Sequence, residues 1–197
     1  MLKVALTGGI ATGKSYVLEQ FRRRGIPCLD ADELAHGVTA AGTEATAAIA
    51  ARFGAEVLAA DGAVDRARLG PIVFADATAR RELEALVHPA VYRAISAGVR
   101  GFELTGGYPF VVVDVPLLFE TGSEGTFDRV IVTACTPETQ LARLCERGLS
   151  EEAARQRLAA QLPAEHKTSR ADFVVTTDGT FAETDEQVER VLRTLEP

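Results

Sequence analysis

The residues of this chain best suited to chemistry begin at Gly8. The run Gly8-Gly9-Ile10-Ala11-Thr12-Gly13-Lys14-Ser15 satisfies G-x-x-x-x-G-K-[ST], with a short apolar run before it and helical sequence through Arg24 after it. Its physical logic is phosphate binding. Glycines let the backbone curl so that successive N–H groups point into one concavity, and the helix that follows adds the positive end of its dipole. Lys14 is then expected to reach the β- and γ-phosphates of ATP. The Ser15 hydroxyl would sit on Mg²⁺, which bridges phosphate oxygens and offsets charge during phosphoryl transfer.

Carboxylates and arginines complete the set. Asp30-Ala31-Asp32 follows the second apolar run, and residues two apart in extended chain point to one side. One carboxylate could take the proton of an acceptor hydroxyl while the other orients a substrate group or a magnesium-bound water. The plainer alternative makes Asp32 the cap of a helix that begins near Glu33. Asp114 closes the run Phe110-Val111-Val112-Val113, a Walker-B-like position beside the phosphate loop, or else a turn residue before Pro116. Arg143, Arg147, Arg155 and Arg157 crowd a helical stretch, and arginine suits a lid that closes over phosphates, although any one of them could be a solvated side chain. His88, before Pro89, is a candidate substrate contact, whereas a lone histidine more often packs or hydrogen-bonds.

Such residues need a rigid frame. Apolar, β-rich runs at Lys3 to Thr7, Ile26 to Leu29, Phe110 to Val115, Arg129 to Thr133 and Phe173 to Thr177, separated by helical patterns, predict an α/β fold. Strands apolar on both sides predict a five-stranded parallel sheet of the P-loop NTPase type with helices on both faces. About eighty residues separate the second run from the third, far more than one crossover helix requires. They read as a helical insertion at about 36–107, in which Ala79 to Val99 carries Leu83, Leu86, Val87, Val91 and Ile95 at helical spacing, with Pro89 expected to kink or divide it. The core would comprise 1–35, 108–136 and 165–197. A helical lid would occupy about 137–164, broken near Gly148 and restarting at Ser150.

Composition narrows the partners. The 197 residues are 47% hydrophobic and 25% charged, ordinary for one globular molecule. A formal net charge of -7 argues against nucleic acid, which asks for a basic face, while a small anion needs only a local basic pocket. Cys28, Cys135 and Cys145 fit neither a zinc site nor a disulfide framework. No membrane-length apolar run occurs, and the apolar stretch before Gly8 is too short for a signal peptide, so a cytoplasmic location is expected.

Taken together, Leu6-Thr7-Gly8-Gly9-Ile10 leading into Gly13-Lys14-Ser15, Asp30-Ala31-Asp32, His88-Pro89 and Asp114-Val115-Pro116-Leu117-Leu118-Phe119-Glu120 resemble dephospho-CoA kinase in order and spacing across nearly the whole chain. The last of these runs is far more specific than the P-loop alone. The resemblance implies phosphorylation of the ribose 3′-hydroxyl of dephospho-CoA by ATP with Mg²⁺, on a P-loop core with a helical CoA-binding domain and a lid. It makes Asp32 the base or hydroxyl-positioning residue, Lys14 and Arg143 catalytic, and Gly8 through Tyr16 with Arg147 the ATP site. Asp30, Asp32, His88, Leu117 and Glu120 would lie on the acceptor side, with Ser15 and Asp114 as the metal ligands. The family usually has Gly-Ser at Ala11-Thr12, Thr at Tyr16 and an Asp-Asn-x-Gly-like turn at Thr176-Thr177-Asp178-Gly179. Shikimate- and gluconate-type kinases share the P-loop and paired acids but not the Asp114 to Glu120 run. A nucleotide-gated switch would need an Asn-Lys-x-Asp segment that this chain lacks.

Overall fold

In chain order the elements are β1 (Leu2–Gly8), α1 (Lys14–Arg23), β2 (Cys28–Asp30), α2 (Ala31–Val38), α3 (Glu44–Phe53), α4 (Arg66–Ala75), α5 (Ala77–Thr105), β3 (Phe110–Asp114), β4 (Arg129–Ala134), α6 (Pro137–Glu146), α7 (Glu151–Ala159), α8 (Ala164–Thr168), β5 (Phe173–Thr176) and α9 (Phe181–Leu195). They come from a computed structural model that describes residues 1–196. The chain divides into two compact units, one made of residues 1–29 with 102 onward, the other of residues 30–101.

In the first unit the strands form one sheet in the order β2-β3-β1-β4-β5, and β1 pairs parallel with both β3 and β4. Val4, Ala5 and Leu6 and the whole of Phe110 to Val113 are fully buried. In these inner strands no alternation survives because both faces are covered, as expected of a parallel sheet, whereas the edge strand β5 alternates, with Val174 exposed and Val175 buried. On one face Val17, Leu18 and Phe21 of α1 and Val188, Val191 and Leu192 of α9 pack on Val4, Leu6, Val112 and Ile131. The register sets Leu6 beside Asp114 and Gly8 beside Thr133, which brings the ends of β1, β3 and β4 to one edge. That carboxyl edge is where open α/β sheets hold ligands.

The second unit is helical. Ile49 and Phe53 of α3, Leu69 and Val73 of α4 and Ala79 of α5 make its core, with Leu83, Leu86 and Val87 packed against them. Two local alternatives are decided there. Pro89 does not divide α5, which runs 29 residues from Ala77 to Thr105. The proline lies on the exposed side while Ala90, Val91, Ile95 and Val99 are buried, so the lost N–H bond opens toward water and the apolar stripe keeps the helix continuous. Asp30 and Asp32 do not share an extended segment either, because the helix begins at Ala31. Asp30 is the N-cap, accepting the Asp32 N–H at 2.8 Å and the Glu33 N–H at 3.2 Å, and Asp32 stands exposed on the first turn.

The expected break in the lid stretch is present. Ser150 caps α7 by accepting the Ala153 N–H, and Thr136 caps α6 by accepting the Thr139 N–H. Both helices belong to the first unit.

Candidate active site

The loop from Gly8 to Gly13 connects the buried β1 to α1. Gly13 takes φ 79° as the cap residue of α1, a conformation an L side chain resists, and a Cβ there would come 3.2 Å from the Thr177 side chain. Ala11 takes φ 59°, the only positive φ at a non-glycine among the described residues. Such a residue holds that shape only when its surroundings impose it. They do so here: Arg143 donates to the Ala11 carbonyl at 3.0 Å, to Thr177 Oγ1 at 3.0 Å and to the Thr177 carbonyl at 2.5 Å. Thr177 in turn donates to the Thr12 carbonyl at 2.9 Å, and the Thr12 and Thr133 hydroxyls meet at 2.8 Å. Ile10 and Ala11 also pack against Leu141, Leu144, Ala154 and Leu158, so the α6–α7 segment is seated on the loop.

Within the cradle, Lys14 ion-pairs with Asp114 at the end of the adjacent strand, and both side chains are largely buried. Ser15, the next residue of α1, is exposed. A cavity of about 430 Å³ opens on the far side of Gly13, bounded by Tyr16, Arg143, Arg147, Thr177, Thr180 and Phe181. The Tyr16 and Phe181 rings lie 4.7 Å apart and tilted, and the Tyr16 hydroxyl donates to Asp185 at 2.9 Å. Phe181 is 71% exposed at the rim of this cavity and packs only part of its ring on Tyr16. A second cavity, about 560 Å³, lies on the other side of the loop against Gly9, Thr12, Gln140, Gln161 and Lys167.

Asp178 fastens the start of α6 to the loop after β5. Burial works against its charge, but the Thr136 N–H at 2.8 Å and the Thr139 hydroxyl at 2.7 Å outweigh it and hold the carboxyl below the usual aspartate range. Burial pushes the Cys28 thiol the other way, up to about 11.

On the loop after β3, Leu117 is exposed, whereas Glu120 accepts from Lys167 of α8 at 2.6 Å. His88 is half-buried within α5, and with Asp30 and Asp32 it belongs to the second unit. The first unit thus gathers the P-loop residues, Tyr16, Asp114, Arg143, Arg147 and Glu120. Sequence reasoning noted Thr177 only as part of a turn that departs from the family's, and missed Phe181, Lys167 and the two glutamines. Thr177 and Phe181 follow a strand at the ligand edge of a parallel sheet and could have been found from that position. No local pattern marks the others.

The model of the dephospho-CoA kinase family matches residues 2–183. A dephospho-CoA kinase of Geobacillus kaustophilus (strain HTA426) is 44% identical over 193 residues, 98% of this chain and 96% of the relative. That of Anaeromyxobacter dehalogenans (strain 2CP-C) is 49% identical over 180 residues, 91% of this chain and 85% of the relative. The crystal structure of TT1252 from Thermus thermophilus is 33% identical with a TM-score of 0.84, covering 100% of this chain and 98% of its own.

Proposed function

This chain belongs to the dephospho-CoA kinase family, and from that premise we propose how its own residues move the phosphoryl group. It is an ATP-dependent kinase that phosphorylates dephospho-CoA in coenzyme A synthesis. The acceptor atom we assign is the ribose 3′-hydroxyl.

The observation that carries the kinase reading is the preformed phosphate loop with Lys14 ion-paired to Asp114. Its N–H groups and the start of α1 would bind the β-phosphate, with Lys14 reaching toward the γ-phosphate. The chain of phosphates then leads along Ser15 to Tyr16, so the base belongs in the cavity bounded by Tyr16, Arg147 and Phe181. Asp32 accepts the proton of the hydroxyl or holds it in line for attack, and Asp30 serves it indirectly by fixing the first turn of α2. His88, Leu117 and Glu120 take the acceptor side. Arg143 keeps the loop in shape, and Arg147 faces the nucleotide.

For Mg²⁺ the donor set fits. The exposed Ser15 hydroxyl and the Asp114 carboxylate are hard oxygen ligands, and this ion takes one or two of these beside phosphates and water. Held there, it would supply charge compensation on the β- and γ-phosphate oxygens. We place the protein in the cytoplasm, since its three cysteines are free thiols and no described helix is long and apolar enough to cross a membrane. Its acidic balance gives no reason to invoke nucleic acid.

Coupled ADP release with ATP, Mg²⁺ and dephospho-CoA tests this directly. ADP and coenzyme A should appear together, and only when all three are present. Release that ignores the acceptor would refute the kinase assignment, and release with shikimate or gluconate instead would refute the acceptor.

A further inference from the structure

The phosphate loop carries a pair of attachments that the P-loop pattern does not contain. Ile10 exposes one donor and one acceptor of its backbone, and each meets a glutamine. Gln161 Oε1 accepts the Ile10 N–H at 2.8 Å, and Gln140 Nε2 donates to the Ile10 carbonyl at 2.6 Å. The backbone atoms fix which end of each amide faces in, because an N–H needs the oxygen and a C=O needs the nitrogen. Both amides crowd over Gly9, where a Cβ would come 2.9 Å from Gln140 Nε2 and 3.3 Å from Gln161 Oε1. Gln140 lies in α6 and is buried, while Gln161 lies just beyond α7. The whole lid segment from 141 to 160 is therefore tied at both ends to one residue of the cradle.

From this we infer that Gln140 and Gln161 are positioning residues for ATP, a two-amide clamp that presets the phosphate loop and couples it to the α6–α7 lid. Neither needs to touch the nucleotide. An unclamped loop would lose part of its binding strength to ordering its own backbone, which the two amides do in advance. The clamp also gives the lid a mechanical link to the phosphates, since any rotation of α6 or withdrawal of the chain after α7 pulls on Ile10. Ala11, in its left-handed conformation, is the next residue along, and Arg143 of the same helix holds it. This role presupposes that the chain works as an ATP-dependent kinase.

Methionine approximates the glutamine shape without its hydrogen bonds, so Gln140→Met, Gln161→Met and the double variant separate clamping from filling. Gln156→Met, at an exposed position of α7, is the control. The readouts are the dissociation constant of a fluorescent N-methylanthraniloyl ATP without acceptor, the KM of ATP and of dephospho-CoA, and the urea midpoint. Each single variant should weaken nucleotide binding about fivefold and the double about twentyfold, as expected for lost backbone hydrogen bonds. The KM of dephospho-CoA should stay within about twofold, and Gly9→Ala, which pushes both amides away, should weaken nucleotide binding like the double. A double variant that binds the analogue like wild type overturns the clamp. So does one in which both KM values rise together in step with lost stability, the pattern of a merely structural pair. Wild-type turnover of dephospho-CoA is scored separately: its absence would refute the kinase reading even if the analogue still reported the clamp.

Discussion

Lys167 lies 1% exposed with its ammonium 2.6 Å from Glu120, so a buried cation of α8 is neutralised by a carboxylate of the loop after β3. Nearby, Arg170 ion-pairs with Glu124 and lies over the Phe119 ring, which fixes the same loop from a second point. A buried pair of this kind contributes little net stability as a pair, but removing one partner strands a charge. Glu120→Leu should destabilise the protein by about 3 kcal/mol in urea titration, and Glu120→Leu with Lys167→Met should recover most of that. A double variant no more stable than the single would mean that Lys167 has another partner.

Asp32 and Lys14 should fail in different ways. Asp32→Asn should lower kcat by about 10² or more while calorimetry still detects both substrates, because only proton transfer or alignment is lost. Lys14→Met should lower kcat by about 10² and also weaken ATP, since the charge it supplies grows in importance in the transition state. Near-normal turnover by Asp32→Asn would remove it from the base role.

Phe181 lines the cavity beside Tyr16 that the proposed function gives to the base. Phe181→Ala should raise the KM of ATP about tenfold with little change in kcat or in the KM of dephospho-CoA, the scale of one lost base–aromatic contact. Steady-state kinetics at saturating acceptor decide it, and an unchanged KM would move the base elsewhere.

Asp178 predicts a pH effect. Its carboxyl titrates lower in the folded protein than an ordinary aspartate, so its contribution is complete above the unfolded pKa and is lost as pH falls through the folded one. Between about pH 5 and pH 3 the urea midpoint should therefore drop more steeply for wild type than for Asp178→Asn. Parallel slopes would show that the Thr136 and Thr139 bonds do not favour the charged form.

Thiol reactivity should separate the three cysteines. Cys145 is exposed, Cys135 is buried, and burial lifts the Cys28 thiol to about 11. Only the thiolate attacks, so iodoacetamide at neutral pH should modify Cys145 first, with Cys28 and Cys135 reacting only on unfolding. Peptide mass spectrometry after short exposure reads this out.

Most of the sheet was legible because its strands announce themselves by continuous burial, Val111 to Val113 most clearly. The cradle was legible because its chemistry is local: eight consecutive residues carry it. Asp30 was misjudged because an extended Asp-x-Asp and a capped helix start share one sequence, and only the first-turn N–H groups of Asp32 and Glu33 distinguish them. The sequence left open whether Pro89 kinks or divides the helix because its cost depends on which side of α5 meets water, and the helix is not divided. Gln140, Gln161 and Lys167 stayed hidden for a different reason. Their partners Ile10 and Glu120 lie 130, 151 and 47 positions away, a separation no periodicity encodes.

The strand order bears on how the chain is made. β1 is central, yet its neighbours β3 and β4 are synthesised about a hundred residues or more after it. A nascent chain therefore carries an apolar strand without its sheet partners while the helical residues 30–101 emerge and can condense locally. The sheet can close only late, through contacts of high sequence separation, which makes its assembly the slow step. During translation β1 waits exposed for those partners, and α9, made after all five strands, joins α1 in covering Val4 and Leu6.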